Sequence, residues 1–189
     1  LKSPPHSAGA TYTLTFPNSV SADKFLKTDG SGNLSFASAG ITEADQFVLT
    51  TNTQINGIGD LTTNLARETD DSFTQIGTGM TQSSGVFTFP STGFYYISVL
   101  GALLCNNGAS SYVTVRIQST TDNSTYTTRA NAYASASGSN YYTTSFNEYM
   151  FNVTDVSTHK IKFNYEIGVS SRLEASGTKF TFIRLGDAQ

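Results

Sequence analysis

Two segments in the second half of the chain alternate between apolar and polar residues, as half-buried β-strands do. An apolar side chain stands at every second position of residues 113–118, starting at Val113, and of residues 161–167, starting at Ile161. One face of each strand is expected to lie on a core and the other in water. After Phe73 the chain continues as short strands separated by turns, without a helical period of useful length. The pattern predicts an all-β, antiparallel sandwich or barrel.

Residues 94–104 differ because they are apolar at both alternating sets of positions. One set contains Phe94, Tyr96, Leu100 and Ala102, and the other contains Tyr95, Ile97, Val99 and Leu103. A strand of a two-layer sandwich normally has one wet face, so we expect another subunit to cover the second face. The alternative is a thick core within one chain. Residues 180–185 raise the same question, since their alternation switches at Ile183 through a bulge or through burial on both faces.

The N-terminal part, residues 1–40, is predicted to be an extended β arm and a hairpin. Residues 11–16 alternate strictly, which predicts a half-buried strand that Pro17 ends. Residues 25–36 predict a hairpin whose tip, residues 29–33, takes positive φ at its glycines. This part is too small to bury its own apolar face, so it must pack on the rest of the chain, a neighbouring copy or a larger assembly.

Two local features near this arm allow more than one interpretation. Asp29, Ser31 and Asn33 resemble the start of a calcium loop, but the glycine and glutamate that such a loop needs further on are missing, which favours the hairpin. Thr42 with Asp45 three residues later predicts the cap of a short helical turn.

Composition excludes several classes of function. The chain has 24 serines and 28 threonines, only 13% charged residues and a net charge of -3, with no cluster of Lys or Arg. Nucleic acid is therefore not an expected partner. No apolar run is long enough to span a membrane, and because the N-terminus lacks a charged segment followed by an apolar stretch, we expect no signal peptide. The single cysteine, Cys105, lies in an apolar run and is expected to be a buried, unreactive thiol.

The sequence contains no motif of a catalytic, metal or cofactor site. The histidines, His6 and His159, lie in a Pro- and Gly-containing arm and in a polar turn, and no nucleophile elbow, zinc motif or phosphate loop is present. Carboxylates such as Asp70, Asp122, Glu148 and Asp155 could bind calcium or hydrolyse carbohydrate, but solvated turns explain them better. We expect no catalytic residue, no metal and no cofactor.

The segment 123–144 is the most suggestive surface for recognition. Its tyrosines are Tyr126, Tyr133, Tyr141 and Tyr142, interleaved with small polar residues. Tyrosine among such neighbours gives rigid amphipathic contact area, as in adaptable binding loops. The equal alternative is a hydroxyl-rich strand pair on which the tyrosines lie flat.

Residues 12–17 and 25–36 together resemble a segment that recurs in tail-fibre and other virion proteins of bacteriophages, particularly marine ones. In that segment a Trp commonly stands where this chain has Phe36. The resemblance implies a virion protein without saying which part of the particle contains it.

Residues 87–97 resemble the Pro-x-x-Gly-x-Tyr signature of the globular heads of the complement C1q and tumour-necrosis-factor superfamily. Residues 180–185 resemble its last strand without the usual glycine, and residues 76–80 and 41–46 resemble phage versions of such heads. The resemblance covers residues 41–189 and implies an antiparallel jelly roll assembled as a homotrimer. By that analogy, the candidates for core or trimer contact are Tyr95, Ile97, Phe180 and Phe182.

These observations predict a non-enzymatic virion structural protein on the surface of a phage particle. The arm would contact other virion proteins of the capsid or tail, and the trimeric head would contact a host-surface glycan or protein. The alternatives are a capsid decoration or cement protein whose arm clamps neighbouring capsid subunits, and a glycan-degrading tail enzyme on the same scaffold.

Overall fold

Regular secondary structure in the described part of the chain consists of β-strands. The structure is a computed structural model that describes residues 13–22, 24–38 and 40–189, and its strand ladders are antiparallel. The all-β, antiparallel prediction is confirmed. The strands are β1 (Lys24–Thr28), β2 (Leu34–Ser38), β3 (Ala44–Leu49), β4 (Thr53–Asp60), β5 (Leu65–Arg67), β6 (Thr81–Ser83), β7 (Val86–Thr88), β8 (Gly93–Cys105), β9 (Ser110–Thr120), β10 (Thr127–Ala130), β11 (Ala134–Ala136), β12 (Tyr141–Val153), β13 (Lys160–Leu173) and β14 (Lys179–Gly186).

The contacts divide the chain into two compact units, Leu1–Thr42 and Glu43–Gln189. In the first unit, β1 pairs with β2. The strand predicted at residues 11–16 lies partly outside the described residues. Within residues 13–16 only Thr15 forms a β-bridge, a parallel one with Asn33, so these four residues form no regular strand.

The tip of the β1–β2 hairpin has the predicted geometry. Gly30 and Gly32 have φ of 83° and 94°, the left-handed region that glycine adopts without strain. The Asp29 carboxylate accepts hydrogen bonds from the backbone N–H of Ser31 at 2.8 Å and from the Asn33 side-chain amide at 2.7 Å. These bonds lower the pKa of Asp29, and they use the carboxylate to close the turn.

The second unit is a sandwich of two sheets. One sheet has the order β5–β3–β14–β8–β12. The second sheet is built around β13. On one side β13 pairs with β9, which in turn pairs with β10 and β11. On its other side β13 pairs with β7 and β4, and β6 pairs with β7. The end of β13 also pairs with β8 and so joins the two sheets. Between the sheets lies a core whose largest fully buried side chains are Tyr95, Phe87, Phe163, Phe180, Phe182, Ile55, Met80, Ile97, Leu103, Ile117, Ile161 and Leu173.

The two alternating segments form strands as predicted. Val113 lies in β9 and Ile161 in β13, both facing the core, and the two strands pair along residues 113–120 and 160–167. Cys105 is also buried, as expected. The helical turn predicted from Thr42 and Asp45 is wrong, because Asp45 lies in strand β3. Its side chain does not cap a helix but forms an ion pair with Arg67 of the neighbouring strand β5.

Candidate functional site

The four residues proposed for core or trimer contact lie in the core of a single chain. Tyr95 and Ile97 point inward from β8, and Phe180 and Phe182 point inward from the adjacent β14. The Tyr95 hydroxyl donates to the backbone carbonyl of Ser91 at 3.0 Å, and burial raises its pKa. Because a single chain already buries these side chains, any contact between subunits must use other residues.

The opposite set of positions on β8 lies on the outer side of its sheet and continues onto both neighbouring strands. We call this surface the apolar face and define it by Phe94, Tyr96, Leu100, Tyr142, Phe146, Met150 and Ile183. Phe146 lies opposite Leu100 across the ladder, and Met150 lies opposite Tyr96, so the side chains form adjacent rows. Phe146 is 49% exposed and Met150 51% exposed. The core of one chain therefore does not cover this face, contrary to the thick-core alternative.

The border of the apolar face lies along β14, and its centre contains a hydrogen bond between Tyr96 and Glu148. In β14, Ile183 stays in register on this face opposite Tyr96, and the ladder becomes irregular only beyond Arg184, where Leu185 is an extra, exposed residue. The Tyr96 hydroxyl donates to the carboxylate of Glu148 at 2.8 Å. Burial, followed by this hydrogen bond, raises the pKa of Tyr96, so the hydroxyl stays protonated at neutral pH. Glu148, expected in a turn, lies within strand β12.

The outer side of the other sheet is polar and charged. We call it the polar face and define it by Arg116, Asn164, Glu166, Asp60 and Lys162. Arg116 donates hydrogen bonds to Glu166, at 2.6 Å, and to Asn164. Asp60 accepts hydrogen bonds from Asn164 at 2.7 Å and from Lys162 at 2.6 Å. Burial tends to raise the pKa of Asp60, but the hydrogen bonds from Lys162 and Asn164 outweigh it and lower the pKa.

The four tyrosines of the segment 123–144 do not form one surface. Tyr126 lies against the polar face, where the Lys162 ammonium is 4.3 Å from its ring centre, and Tyr133 donates to Glu166 on the same face. Tyr141 and Tyr142 begin strand β12 in the other sheet, and Tyr142 belongs to the apolar face. Their order in the chain does not reveal this separation, because β10, β11 and the connection to β12 cross from one sheet to the other.

Tyr112 is not among the residues predicted for recognition, and it joins Tyr133 at the edge of the polar face. The ring centres are 6.1 Å apart with an angle of 84° between the rings. Tyr112 occupies the same alternating set of positions in β9 as Arg116, so its location on the outer face was readable from the sequence. Its contact with Tyr133 was not, since the two residues lie on different strands.

The other groups considered for chemistry are structural in the described part of the chain. Asp122 and Asp155 accept hydrogen bonds from hydroxyl and backbone N–H groups of their own turns, which lower the pKa of both, as expected for turn residues. The His159 ring stacks on Phe151 at 5.4 Å between the ring centres. His6 lies outside the described residues.

Within residues 13–22, 24–38 and 40–189, no group of three or more His, Cys, Asp or Glu side chains could hold a metal ion. Across the same ranges, no helix is both long and apolar enough to cross a membrane.

Comparison with known proteins gives the fold. No protein-family model matches the chain, and no curated protein matches it. Among solved structures, murine APRIL at pH 5.0 is similar over 76% of this chain and 98% of its own, with 14% identity and a TM-score of 0.56. The Eiger TNF of S. frugiperda is similar over 79% and 96%, with 12% identity and a TM-score of 0.55. The predicted C1q/TNF-like jelly roll is confirmed by these likenesses, which at such low identity show the fold alone.

A third similar structure is the PRD1 vertex protein P5, over 78% of this chain and all of its own, at 15% identity and a TM-score of 0.48. This likeness is too weak to support an argument about the present chain.

Proposed function

We propose that this chain is a non-enzymatic structural protein of a bacteriophage particle. Its jelly roll assembles as a homotrimer. The trimer is displayed on the virion surface as a fibre head or adhesin that contacts the host. The observation that carries the proposal is the contrast between the two outer faces of the sandwich. One face carries seven mostly aromatic and aliphatic side chains, and the other carries a charged network. Large exposed apolar patches on soluble domains mark surfaces that contact another protein.

A second copy of the same chain is the partner that best suits the apolar face. One row of the face runs across all three strands, through Met150, Tyr96 and Ile183, and a second row joins Phe146 to Leu100 and ends at Lys179 on β14. The two charges on this side have partners within the chain, since Glu148 accepts a hydrogen bond from Tyr96 and Lys179 donates to Glu68. Phe146 exposes about half of its side chain, so covering it would remove about 100 Å² of apolar surface from water. At about 25 cal/mol per Å², this one residue contributes about 2.5 kcal/mol per subunit. The threefold arrangement is taken from the resemblance to C1q and TNF heads.

The N-terminal unit is proposed to attach the jelly roll to the particle through other virion proteins. All five residues of β1 are exposed, including Phe25 and Leu26, and Phe16 and Val20 are exposed as well. A two-stranded hairpin is at best marginally stable in water without a further packing partner. The resemblance of residues 12–17 and 25–36 to virion proteins supports the assignment of that partner to the phage particle.

Sedimentation velocity of the full chain tests the trimer. We expect the wild-type chain to sediment as a trimer at micromolar concentration, and Phe146→Asp to dissociate because it places a charge in the apolar contact. Ile58→Asp is the matched control, since Ile58 is an exposed apolar residue on β4, in the opposite sheet, and this variant should remain trimeric. A monomeric wild-type chain, or a trimer that Phe146→Asp leaves intact, would contradict the proposed assembly.

The position on the particle is tested by imaging virions that carry the labelled protein. A few copies at a tail or fibre tip are expected for a fibre head. Many copies spread over the capsid would instead establish the decoration or cement role. A glycan-degradation assay tests the non-enzymatic assignment, and turnover that disappears when a single carboxylate is changed would overturn it.

A further inference from the structure

Two exposed tyrosines form a corner at the edge of the polar face. Tyr112, on β9, and Tyr133, just before β11, have ring centres 6.1 Å apart and lie nearly perpendicular to each other, at 84°. Tyr133 is 56% exposed, and Tyr112 is also exposed. Such a perpendicular pair holds two partly exposed rings in a fixed arrangement next to each other. Rigid aromatic surface of this kind binds ligands at low entropic cost.

A carboxylate lies beside this corner with one oxygen fixed and the other free. Oε2 of Glu166 accepts from the Tyr133 hydroxyl at 3.1 Å and from Nη1 of Arg116 at 2.6 Å. Among the described residues, Oε1 of Glu166 has no hydrogen-bond partner, and neither has the hydroxyl of Tyr112. The two bonds to Oε2 fix the carboxylate relative to the Tyr133 ring, so Oε1 is a preoriented acceptor next to an exposed aromatic surface.

This combination selects a ligand that has both a C–H face and hydroxyl donors. The electron-rich face of a tyrosine ring attracts polarised C–H groups, and an ionised carboxylate makes stronger hydrogen bonds to hydroxyl donors than a neutral acceptor does. A pyranose ring carries both kinds of group on adjacent sides. An anionic ligand would be repelled by the free oxygen of Glu166. We therefore propose that Tyr112, Tyr133 and Glu166 form a binding site for a neutral hexose unit of a glycan.

The location of this site fits a displayed head. The site lies on the outer side of the β9–β13 sheet, and the apolar face lies on the outer side of the other sheet. In a trimer whose apolar faces meet at the threefold axis, the opposite sheet of each subunit points away from the axis, so the sugar site stays accessible. One hexose contact of this size binds weakly, and several linked copies raise the effective affinity for a polyvalent glycan surface. This role rests on the proposed function, because it names the host-side ligand of the displayed head.

Saturation-transfer NMR on the full chain tests the site, with the methyl glycosides of glucose, galactose and mannose as separate probes at millimolar concentration. At least one of them should receive saturation at its ring C–H protons. Tyr133→Ala should abolish the transfer. Tyr141→Ala is the matched control and should retain it, because Tyr141 is 55% exposed but lies on another strand. Absence of transfer to all three probes, or transfer that Tyr133→Ala leaves unchanged, would overturn the proposal.

Two further measurements separate the roles of the ring and the carboxylate. Tyr133→Phe keeps the ring and should retain transfer to the C–H face. Glu166→Gln should weaken binding about tenfold, the usual effect of losing a charge-assisted hydrogen bond. The methyl glycoside of glucuronic acid should bind more weakly than that of glucose, and equal or tighter binding would contradict the role of Glu166. Far-ultraviolet circular dichroism of each variant checks that the strands still form.

Sedimentation of the same samples distinguishes failure of this site from failure of the proposed function. A trimer that binds none of the glycosides overturns the site and leaves the trimeric head standing. A monomer that binds through Tyr133 overturns the assembly and leaves the site standing, because a single hexose contacts one subunit.

Discussion

The carboxylate of Asp45 connects three parts of the second unit. It is 1% exposed and lies in β3. Oδ1 accepts a hydrogen bond from Nε of Arg67 in β5 at 2.9 Å. Oδ2 accepts two hydrogen bonds, from Nη2 of Arg67 at 2.9 Å and from the backbone N–H of Met80 at 2.7 Å. Arg67 also donates to the Met80 carbonyl at 2.6 Å and lies over the ring of Phe47. Replacing Asp45 with alanine should therefore weaken the attachment of Met80 to the edge of the sheet, where Arg67 would still donate to its carbonyl.

The expected loss can be worked out from these contacts. Asp45→Ala leaves the buried N–H of Met80 without its acceptor, which costs about 1–3 kcal/mol. Arg67 loses its ion-pair partner, but its side chain is 34% exposed, so water replaces part of the lost interaction. We expect a total loss of about 3 kcal/mol in the free energy of unfolding. For a unit of this size, that corresponds to a decrease in Tm of about 6–12 °C.

Urea unfolding at one fixed chain concentration, followed by circular dichroism, measures this loss. Arg67→Ala should be at least as destabilising, because it leaves a buried carboxylate without its counter-charge. The double variant should lose less than the sum of the two single losses, since both remove the same interaction. Asp71→Ala, which removes an exposed turn carboxylate that has no hydrogen-bond partner among the described residues, is the control and should change stability by less than about 0.5 kcal/mol. A loss below about 1 kcal/mol for Asp45→Ala, or strictly additive losses, would refute this account.

Two more predictions concern the loss of stability in acid and the reactivity of the Cys105 thiol. The hydrogen bonds from Lys162 and Asn164 lower the pKa of folded Asp60 below the ordinary 3.8. The stability that this carboxylate adds is therefore present above the ordinary pKa and is lost as the pH falls through the folded pKa. The stability difference between the wild type and Asp60→Asn, from urea unfolding, should shrink between about pH 7 and about pH 2, and a difference that grows would contradict it. Cys105 is buried, so a thiol reagent should label the native chain only as fast as it unfolds, and labelling at the rate of a free thiol would contradict that burial.

The amino-acid sequence by itself determined that the second unit is built of strands and which side chains of the clearest strands face its core. Alternation identified β9 and β13, because successive side chains of a strand point to opposite faces and the core accepts only apolar ones. The apolar residues at both sets of positions in 94–104 identified a strand with two apolar faces. Glycines at the hairpin tip identified the positive φ of Gly30 and Gly32. All of these features depend on residues close together in the chain, so a pattern of neighbours is enough to predict them.

Only the tertiary structure decided which strands pair and which exposed side chains meet. From its neighbours in the chain, Asp45 was predicted to belong to a helix cap, but in the folded chain it binds Arg67, which is 22 residues away. Tyr126 and Tyr133 separated from Tyr142 because the intervening chain crosses from one sheet to the other. The corner of Tyr112 and Tyr133 with Glu166 joins residues from three segments of the chain. Pairing and register depend on the packing of the whole core, and local periodicity carries no information about which distant strand becomes the neighbour.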